Sequence, residues 1–179
     1  MTHRAYIGVG SNQGDKERNC RRAVSRIGEF PETRVRRVSS WFATEPWGAP
    51  SGEWYVNGVV AVDTDLEPDN LLRHCHSVER EMGRPAARPR WADRVIDLDI
   101  LFYDDRVLEG PDLIIPHPEL HRRRFVLAPL CEIAPDRKHP LLGRSIRELL
   151  ARVEDDKRVR EITAHDAREA PRSSTVPVR

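Results

Sequence analysis

The sequence gives little support for disulfide bonds, membrane spans or a secretion signal. The chain has only three cysteines, Cys20, Cys75 and Cys131, and no Cys-x-x-Cys pattern. Cysteines that are odd in number and widely spaced predict reduced thiols rather than a disulfide framework. No apolar run reaches the ~18 residues that a bilayer span needs, and the first residues do not form a signal-peptide core. We therefore expect a cytoplasmic protein with no membrane partner.

A strong charge of one sign is also missing. Lysine and arginine number 30 and aspartate and glutamate 29 among 179 residues, which leaves a net charge of +1. Such a chain has no general attraction to nucleic acid, and we predict no nucleic-acid partner. The length suits one domain, which we assign to residues 1–165 and expect to be monomeric. Residues 166–179 have almost no large apolar side chains and predict a disordered tail.

The glycine-rich loops of the common nucleotide-binding folds are absent as well. Residues 5–10 predict a first strand, and the turn at residues 11–14 offers Asn12 as the cap of a helix over residues 15–27. Neither Gly-x-x-x-x-Gly-Lys-Ser/Thr nor Gly-x-Gly-x-x-Gly occurs at this turn. A phosphate-binding loop of either kind is therefore not expected here.

The stretch that carries most chemistry is residues 90–102, Arg-Trp-Ala-Asp-Arg-Val-Ile-Asp-Leu-Asp-Ile-Leu-Phe. Its second half alternates like a strand, so Asp97 and Asp99 share one face, with Cα atoms roughly 6.5 Å apart. Two such carboxylates can bind magnesium together with phosphate oxygens, and Arg90 and Arg94 supply guanidinium forks that suit phosphate. For the two aspartates alone, a half-buried strand with a solvated acidic face remains the alternative.

The rest of the chain alternates between strands and helices. Strands are predicted over residues 33–42 and 55–62, and a helix runs from Leu66 to Met82. After the strand of the two aspartates, a hairpin turn at residues 104–106 leads into Val107 and Leu108. Two further helices are predicted over residues 119–130 and 145–153. This order favours an α+β fold, a ferredoxin-like α/β sandwich with a largely antiparallel sheet.

Residues 90–102 resemble the signature of the 6-hydroxymethyl-7,8-dihydropterin pyrophosphokinases, transferases of folate biosynthesis. The Gly10-Ser11-Asn12 turn and the Pro116-His117 pair extend the similarity, which covers roughly residues 4–160. The resemblance implies ATP-dependent transfer of pyrophosphate to the hydroxymethyl group of a reduced pterin, with release of AMP. It also implies magnesium as the cofactor, with two ions bound together with ATP.

The resemblance assigns roles to individual residues. Arg84 and Arg94 would be catalytic, because they stabilise charge on the transferred group, and Asp97 and Asp99 would hold the metal. The residues expected to bind ATP are His76, Glu79, Arg90, Ile100, His117 and Arg123. The residues expected to bind the pterin are Thr44, Pro46, Trp47, Tyr55, Asn57, Trp91 and Phe125. Their chemistry agrees, since a flat heterobicycle favours aromatic faces and its amide edge matches a carboxamide.

Three further features bear on how the site would work. From spacing alone, His76 and Glu79 favour a solvated helix face over a metal site. The loop at residues 84–89 has two prolines and no apolar anchor, so we expect it to be mobile until nucleotide and pterin bind. No dedicated general base is evident, and a magnesium-bound carboxylate such as Asp97 is one option.

Departures from the family pattern leave alternatives open. Asp93, Ala86 and Pro118 stand where relatives usually carry other residues. They allow a degenerate relative that binds pterin or nucleotide without turnover. A ferredoxin-like RNA-binding module is the other alternative, although the chain lacks the aromatic-rich RNA-binding strand motif.

Overall fold

The computed structural model describes residues 1–46, 52–83 and 93–163. Within these ranges the chain forms eight strands, four α-helices and one short 3-10 helix. The strands are β1 (His3–Ser11), β2 (Thr33–Val38), β3 (Phe42–Thr44), β4 (Tyr55–Thr64), β5 (Asp97–Tyr103), β6 (Leu108–Glu109), β7 (Ile114–Ile115) and β8 (Val159–Glu161). The helices are α1 (Lys16–Ile27), α2 (Pro68–Glu81), α3 (Arg124–Ile133) and α4 (Ile146–Arg152), with the 3-10 helix at Leu120–Arg122.

The central sheet is antiparallel. Its strands follow the order β5-β1-β4-β3-β8, and β2 also pairs with β4. The unit β1-α1-β2 therefore has β4 between its two strands, and the unit β4-α2-β5 has β1 between its strands. Two such split β-α-β units form a ferredoxin-like core. The predicted α+β class with a largely antiparallel sheet is confirmed.

Each face of the sheet carries its own apolar layer. Successive residues of a strand point to opposite faces. Ala5, Ile7 and Val9 of β1 therefore join the layer beneath α1 and α2, whereas Tyr6 joins the layer beneath α3 and α4. Gly8 and Gly10 lie on the same face of β1 as Tyr6. Because glycine has no side chain, these two positions leave space on the α3 side of the sheet.

The single strand predicted over residues 33–42 is wrong, because β2 ends at Val38 and β3 begins at Phe42. Between them, Ser39 Oγ accepts a hydrogen bond from the backbone nitrogen of Val59 at 2.9 Å. Trp41 is buried over Gly58, where a Cβ atom would lie 2.5 Å from the indole ring. Val38, the last residue of β2, is 41% exposed. The break between β2 and β3 is associated with these contacts to β4, so the apolar alternation of residues 33–42 alone does not reveal it.

Two predictions in the second half also need correction. The turn after β5 does not form a hairpin with β5, because β6 pairs with β7 in a separate two-stranded sheet. The helix predicted over residues 119–130 is interrupted at Arg123, which is extended with φ −115° and ψ 106°. The 3-10 helix precedes this residue and α3 follows it.

The last described part of the chain adds α4 and β8. Ser145 and Glu148 form a capping box at the start of α4, in agreement with the helix predicted over residues 145–153. Strand β8, which was not predicted, pairs with β3 at the edge of the sheet. None of the helices in the described ranges has the length and apolar character of a membrane span. The predicted tail and the loop at residues 84–89 lie outside the described residues.

Candidate active site

A cavity of about 320 Å³ opens on the α3 side of the sheet, above the glycines of β1. Gly8 and Gly10 form part of its floor, and β4, β5 and α3 contribute the walls. The predicted site residues that line the cavity are Thr44, Tyr55, Asn57, Arg94, Asp97, Asp99, His117, Arg123 and Phe125. The fold thus brings together residues that are spread over 82 positions of the sequence, from 44 to 125.

The two carboxylates of β5 lie on the cavity face, as the alternation predicted. Their neighbours Ile96, Leu98 and Ile100 are almost fully buried on the opposite side of the sheet. Asp97 accepts a hydrogen bond at 2.5 Å from Arg94 Nη1, three residues earlier. Ile100 was expected at the ATP site, but its side chain lies in the core and does not line the cavity.

Asp99 is in an environment that opposes its ionisation. Burial, followed by the negative charges of Asp97 and Glu79, raises the pKa of Asp99 to about 7, and Arg94 and Arg123 offset this only in part. Such a cluster is costly without a bound cation, because like charges in a low dielectric repel strongly. The site therefore favours a positively charged ligand beside the carboxylates.

Glu79 and His76 differ from the expectation of a shared solvated helix face. Glu79 is only 1% exposed, and its Oε1 accepts a hydrogen bond from the backbone nitrogen of Leu98 at 2.8 Å. His76 is exposed on α2. Neither side chain lines the cavity. Glu79 acts on the site from beneath β5, through its hydrogen bond to the strand and through its charge.

Asn12 is a site-supporting residue that the sequence analysis missed. It was expected to cap α1, but Asp15 makes that hydrogen bond, to the backbone nitrogen of Arg18. The Asn12 side chain instead accepts from the backbone nitrogen of Arg94 at 2.7 Å and donates to Asp93 Oδ1 at 2.6 Å. Its own backbone nitrogen donates to the carbonyl of Arg94 at 3.0 Å. A buried asparagine thus holds the backbone from which the Arg94 side chain extends.

The opposite wall of the cavity is basic. Arg123 precedes α3, and its Nε atom is buried without a hydrogen-bond partner among the described residues. His117 Nδ1 accepts a hydrogen bond from the backbone nitrogen of Glu119 at 3.3 Å, which leaves the ring hydrogen on Nε2. Burial, with a further contribution from Arg123, lowers the pKa of His117 to about 4. The wall therefore presents a guanidinium and a neutral imidazole donor.

The depressed pKa of His117 should make the fold sensitive to acid. Its folded-state pKa of about 4 lies below the ordinary value of 6.5. The associated stability is therefore present above pH 6.5 and is lost as the pH falls towards 4. From neutral pH to pH 5, His117 should account for a loss of about 2 kcal/mol in the free energy of unfolding.

Urea denaturation at both pH values measures this contribution. The His117→Asn variant should lose less stability on acidification than the wild type, whereas His76→Asn, on the exposed face of α2, should behave like the wild type. Identical pH dependence in all three proteins would show that His117 titrates normally.

A third part of the lining suits a flat polar ring. Asn57 Nδ2 donates to Thr44 Oγ1 at 2.7 Å, which orients the carboxamide at the cavity. Asn57 Oδ1 lies where a Cβ atom on Gly10 would be only 2.5 Å away, so a larger residue at position 10 would displace the carboxamide from this orientation. Tyr55 and Phe125 add aromatic surface to the same cavity.

Five further predicted site residues are not seen at the cavity. Arg84, Arg90, Trp47 and Trp91 are not among the described residues. Pro46 is described and half-buried, but it does not line the cavity.

The fold is shared with a solved structure at low sequence identity. The crystal structure of Plasmodium falciparum HPPK-DHPS wild type matches with a TM-score of 0.65 and 14% identity. The match covers 84% of this chain and 44% of that chain, so this chain spans less than half of the longer protein. At this identity the likeness concerns the fold alone.

Sequence comparison identifies the family. The family model for 7,8-dihydro-6-hydroxymethylpterin-pyrophosphokinase matches residues 6–135. The relative from Methylorubrum extorquens is 42% identical over 151 residues, which cover 84% of this chain and 94% of the relative. The relative from Pseudomonas aeruginosa is 39% identical over 151 residues, with 84% and 92% covered. Both are named 2-amino-4-hydroxy-6-hydroxymethyldihydropteridine pyrophosphokinase. The resemblance inferred from residues 90–102 is confirmed, and the chain belongs to the 7,8-dihydro-6-hydroxymethylpterin-pyrophosphokinase family.

Proposed function

We propose that the cavity beneath α3 is the site where this chain performs its family's reaction. The pyrophosphoryl group of ATP is transferred to the hydroxymethyl group of 6-hydroxymethyl-7,8-dihydropterin, and AMP is released. One observation carries the assignment to this cavity. A carboxylate pair, a basic wall and an aromatic and carboxamide wall meet in a single space of about 320 Å³.

Asp97 and Asp99 are the residues that would hold magnesium. Among the described residues, no group of three or more His, Cys, Asp or Glu side chains is arranged to hold a metal ion. A pair of carboxylates fits magnesium, which commonly takes one or two carboxylates and completes its coordination with phosphate oxygens and water. The repulsion that raises the pKa of Asp99 also favours a cation there. Bound magnesium supplies positive charge to the phosphate oxygens.

Arg94, Arg123 and His117 would bind the phosphates. The Nε of Arg123 is buried and has no hydrogen-bond partner in the described part of the chain, which favours an anionic ligand, because a buried donor without an acceptor costs free energy. His117 stays neutral and offers its Nε2 hydrogen as a donor. Arg94 lies beside Asp97 at the same cavity, which supports contact of its guanidinium with phosphates that bind next to the carboxylates.

The pterin would occupy the wall formed by Asn57, Tyr55 and Phe125. The Asn57 carboxamide offers an acceptor oxygen and is held by Thr44, which suits the amide and amine edge of the heterocycle. The aromatic side chains offer flat surfaces for the ring. In this arrangement the hydroxymethyl group would point towards the phosphate-binding residues of the same cavity.

The described residues contribute mainly position and charge to the reaction. Transfer of a phosphoryl-type group passes through a loose transition state, so the protein needs little covalent chemistry. Arg94 and Arg123 stabilise negative charge on the transferred group and on the departing oxygen. The Asn57 and aromatic wall hold the acceptor hydroxyl in place, which lowers the entropic cost of bringing two substrates together.

The test is incubation of the purified protein with MgATP and 6-hydroxymethyl-7,8-dihydropterin, with AMP followed by chromatography. We expect one AMP for each pterin diphosphate formed, no AMP without pterin, and loss of turnover when EDTA removes magnesium. Pterin or ATP binding without AMP would instead support the degenerate relative. Salt-dependent retardation of RNA would favour the RNA-binding module.

From the sequence and the family resemblance we also propose a cytoplasmic location, a monomeric state and a second magnesium ion bound with ATP. Size-exclusion chromatography with light scattering tests the monomer directly.

A further inference from the structure

The segment at residues 153–163 runs along two walls of the cavity, and we refer to it as the C-terminal strap. It lies beyond residue 135, where the match to the family model ends. None of its residues lines the cavity. Its contacts reach the start of α3 on one side and strand β3 on the other.

At α3, the strap supplies the cap that the helix itself lacks. Arg123 occupies the N-cap position, and its side chain makes no capping hydrogen bond. Asp155 is 7% exposed, and its Oδ2 accepts from the backbone nitrogen of Arg124 at 2.8 Å. A carboxylate at this position satisfies a free helix N–H group and interacts favourably with the helix dipole.

Arg124 and Asp155 are joined by more than the cap. Arg124 Nε donates to the carbonyl of Asp155 at 3.1 Å, and its Nη2 donates to the carbonyl of Val153 at 3.2 Å. The other carboxylate oxygen of Asp155 accepts from the backbone nitrogen of Lys157 at 3.0 Å, which shapes the strap itself. The first turn of α3 is therefore fixed to a segment 31 residues away in sequence.

On the other side, the strap extends the sheet beside the aromatic and carboxamide wall. Val159 pairs with Thr44 through β8 and β3. The backbone nitrogen of Glu45 donates to the carbonyl of Arg158 at 2.9 Å, and Glu45 Oε2 accepts from the backbone nitrogen of Arg158 at 3.1 Å. The Arg158 guanidinium also lies 5.0 Å from the centre of the Trp54 ring. The strap thus ties α3 to the strand that carries Thr44.

We propose that Asp155 is a positioning residue for the active site and acts through Arg124. The two residues that flank Arg124 are Arg123 and Phe125, and both line the cavity. When Asp155 holds this turn, the side chains of Arg123 and Phe125 are ordered before substrate binds. The free energy of binding is then not reduced by the entropy lost in ordering them. The inference rests on the proposed function, because it concerns the affinity of the same cavity for pterin and MgATP.

The test compares Asp155→Ala, Asp155→Asn and Asp156→Ala at a temperature well below unfolding. Loss of the cap should weaken pterin and MgATP binding roughly tenfold in Asp155→Ala, with a smaller change in kcat. Asp155→Asn has a single acceptor oxygen, so it can keep the bond to Arg124 only by losing the bond to Lys157, and it should recover part of the affinity. Asp156 is the adjacent exposed carboxylate, and its replacement should leave both affinities unchanged.

The separate readouts distinguish positioning from simple stabilisation. If Asp155→Ala lowers the melting temperature but binds both substrates like the wild type, Asp155 is structural only and the proposal is overturned. Amide hydrogen exchange at Arg124 should also be faster in Asp155→Ala and partly restored in Asp155→Asn. An effect of Asp156→Ala equal to that of Asp155→Ala would also overturn it, since the cap would then not be the cause.

AMP release by the wild type tests the proposed function independently of the Asp155 variants. If the wild type releases no AMP but binds pterin and MgATP, the proposed function fails while the effect of Asp155 on affinity is still measured. If the wild type turns over normally and Asp155→Ala binds both ligands unchanged, only the positioning role fails.

Discussion

Replacement of Asp97 or Asp99 by alanine should remove most of the transferase activity and leave the fold intact. Each carboxylate lies on the cavity face of β5, whereas the apolar residues between and beside them fill the core. Loss of one preorganised charge at such a site typically lowers the rate by roughly 10² to 10³-fold. The two substitutions remove groups that would hold magnesium, so the affinity for the Mg-nucleotide should fall together with kcat.

The stability of these variants provides an independent check. Burial and the charges of Asp97 and Glu79 oppose the ionised form of Asp99, which raises its pKa. Asp99→Asn should therefore unfold at an equal or higher temperature than the wild type while losing turnover, since catalytic sites commonly trade stability for function. A thermal melt and an assay of AMP release measure the two effects on the same preparation.

Asp112→Ala is the matched control, because Asp112 is exposed and does not line the cavity. It should retain the rate and the Mg-nucleotide affinity of the wild type. If Asp97→Ala and Asp99→Ala both kept near-normal rates, the assignment of the metal ligands would be wrong.

Arg94→Ala should lower kcat by roughly 10² to 10³-fold, because in the proposed arrangement the guanidinium would stabilise charge on the transferred group. ATP binding should weaken less, since Arg123 and His117 still contact the phosphates in the proposed arrangement. Arg94→Lys keeps the positive charge but loses the planar fork, so it should recover only part of the rate. Steady-state kinetics with both substrates, together with direct titration of ATP, separates these effects.

Replacement of Asn12 tests how far the activity depends on the support of Arg94, with the guanidinium itself still present. The Asn12 side chain does not line the cavity, but it holds the backbone of Arg94 and the carboxylate of Asp93. Asn12→Ala should therefore lower kcat by roughly tenfold and leave ATP affinity close to that of the wild type. An Arg94→Ala enzyme with unchanged kcat would exclude the catalytic role, whereas an unchanged Asn12→Ala enzyme would exclude only the supporting one.

The sequence predicted those parts of the fold that follow from local chemistry. The helix predicted over residues 15–27 is observed as α1, which buries Cys20, Ala23 and Ile27. The helix predicted over residues 145–153 is observed as α4, and Ser145 with Glu148 caps its start. Where the prediction was wrong, a distant partner was the cause. The strand over residues 33–42 breaks at Ser39, whose hydroxyl bonds to β4.

For the site, the strand period of two was enough to place Asp97 and Asp99 on one face, because side-chain direction along a strand is set by the backbone itself. The residue types around them, with the family resemblance, indicated phosphate and pterin chemistry. No local pattern indicated that Glu79 would be buried beneath β5, that Asn12 would hold Arg94, or that Asp155 would cap α3. These three contacts join residues 19, 82 and 31 positions apart in the sequence. Only the packing of the split β-α-β units and the strap brings such partners within hydrogen-bonding distance, so these roles were decided by the tertiary structure.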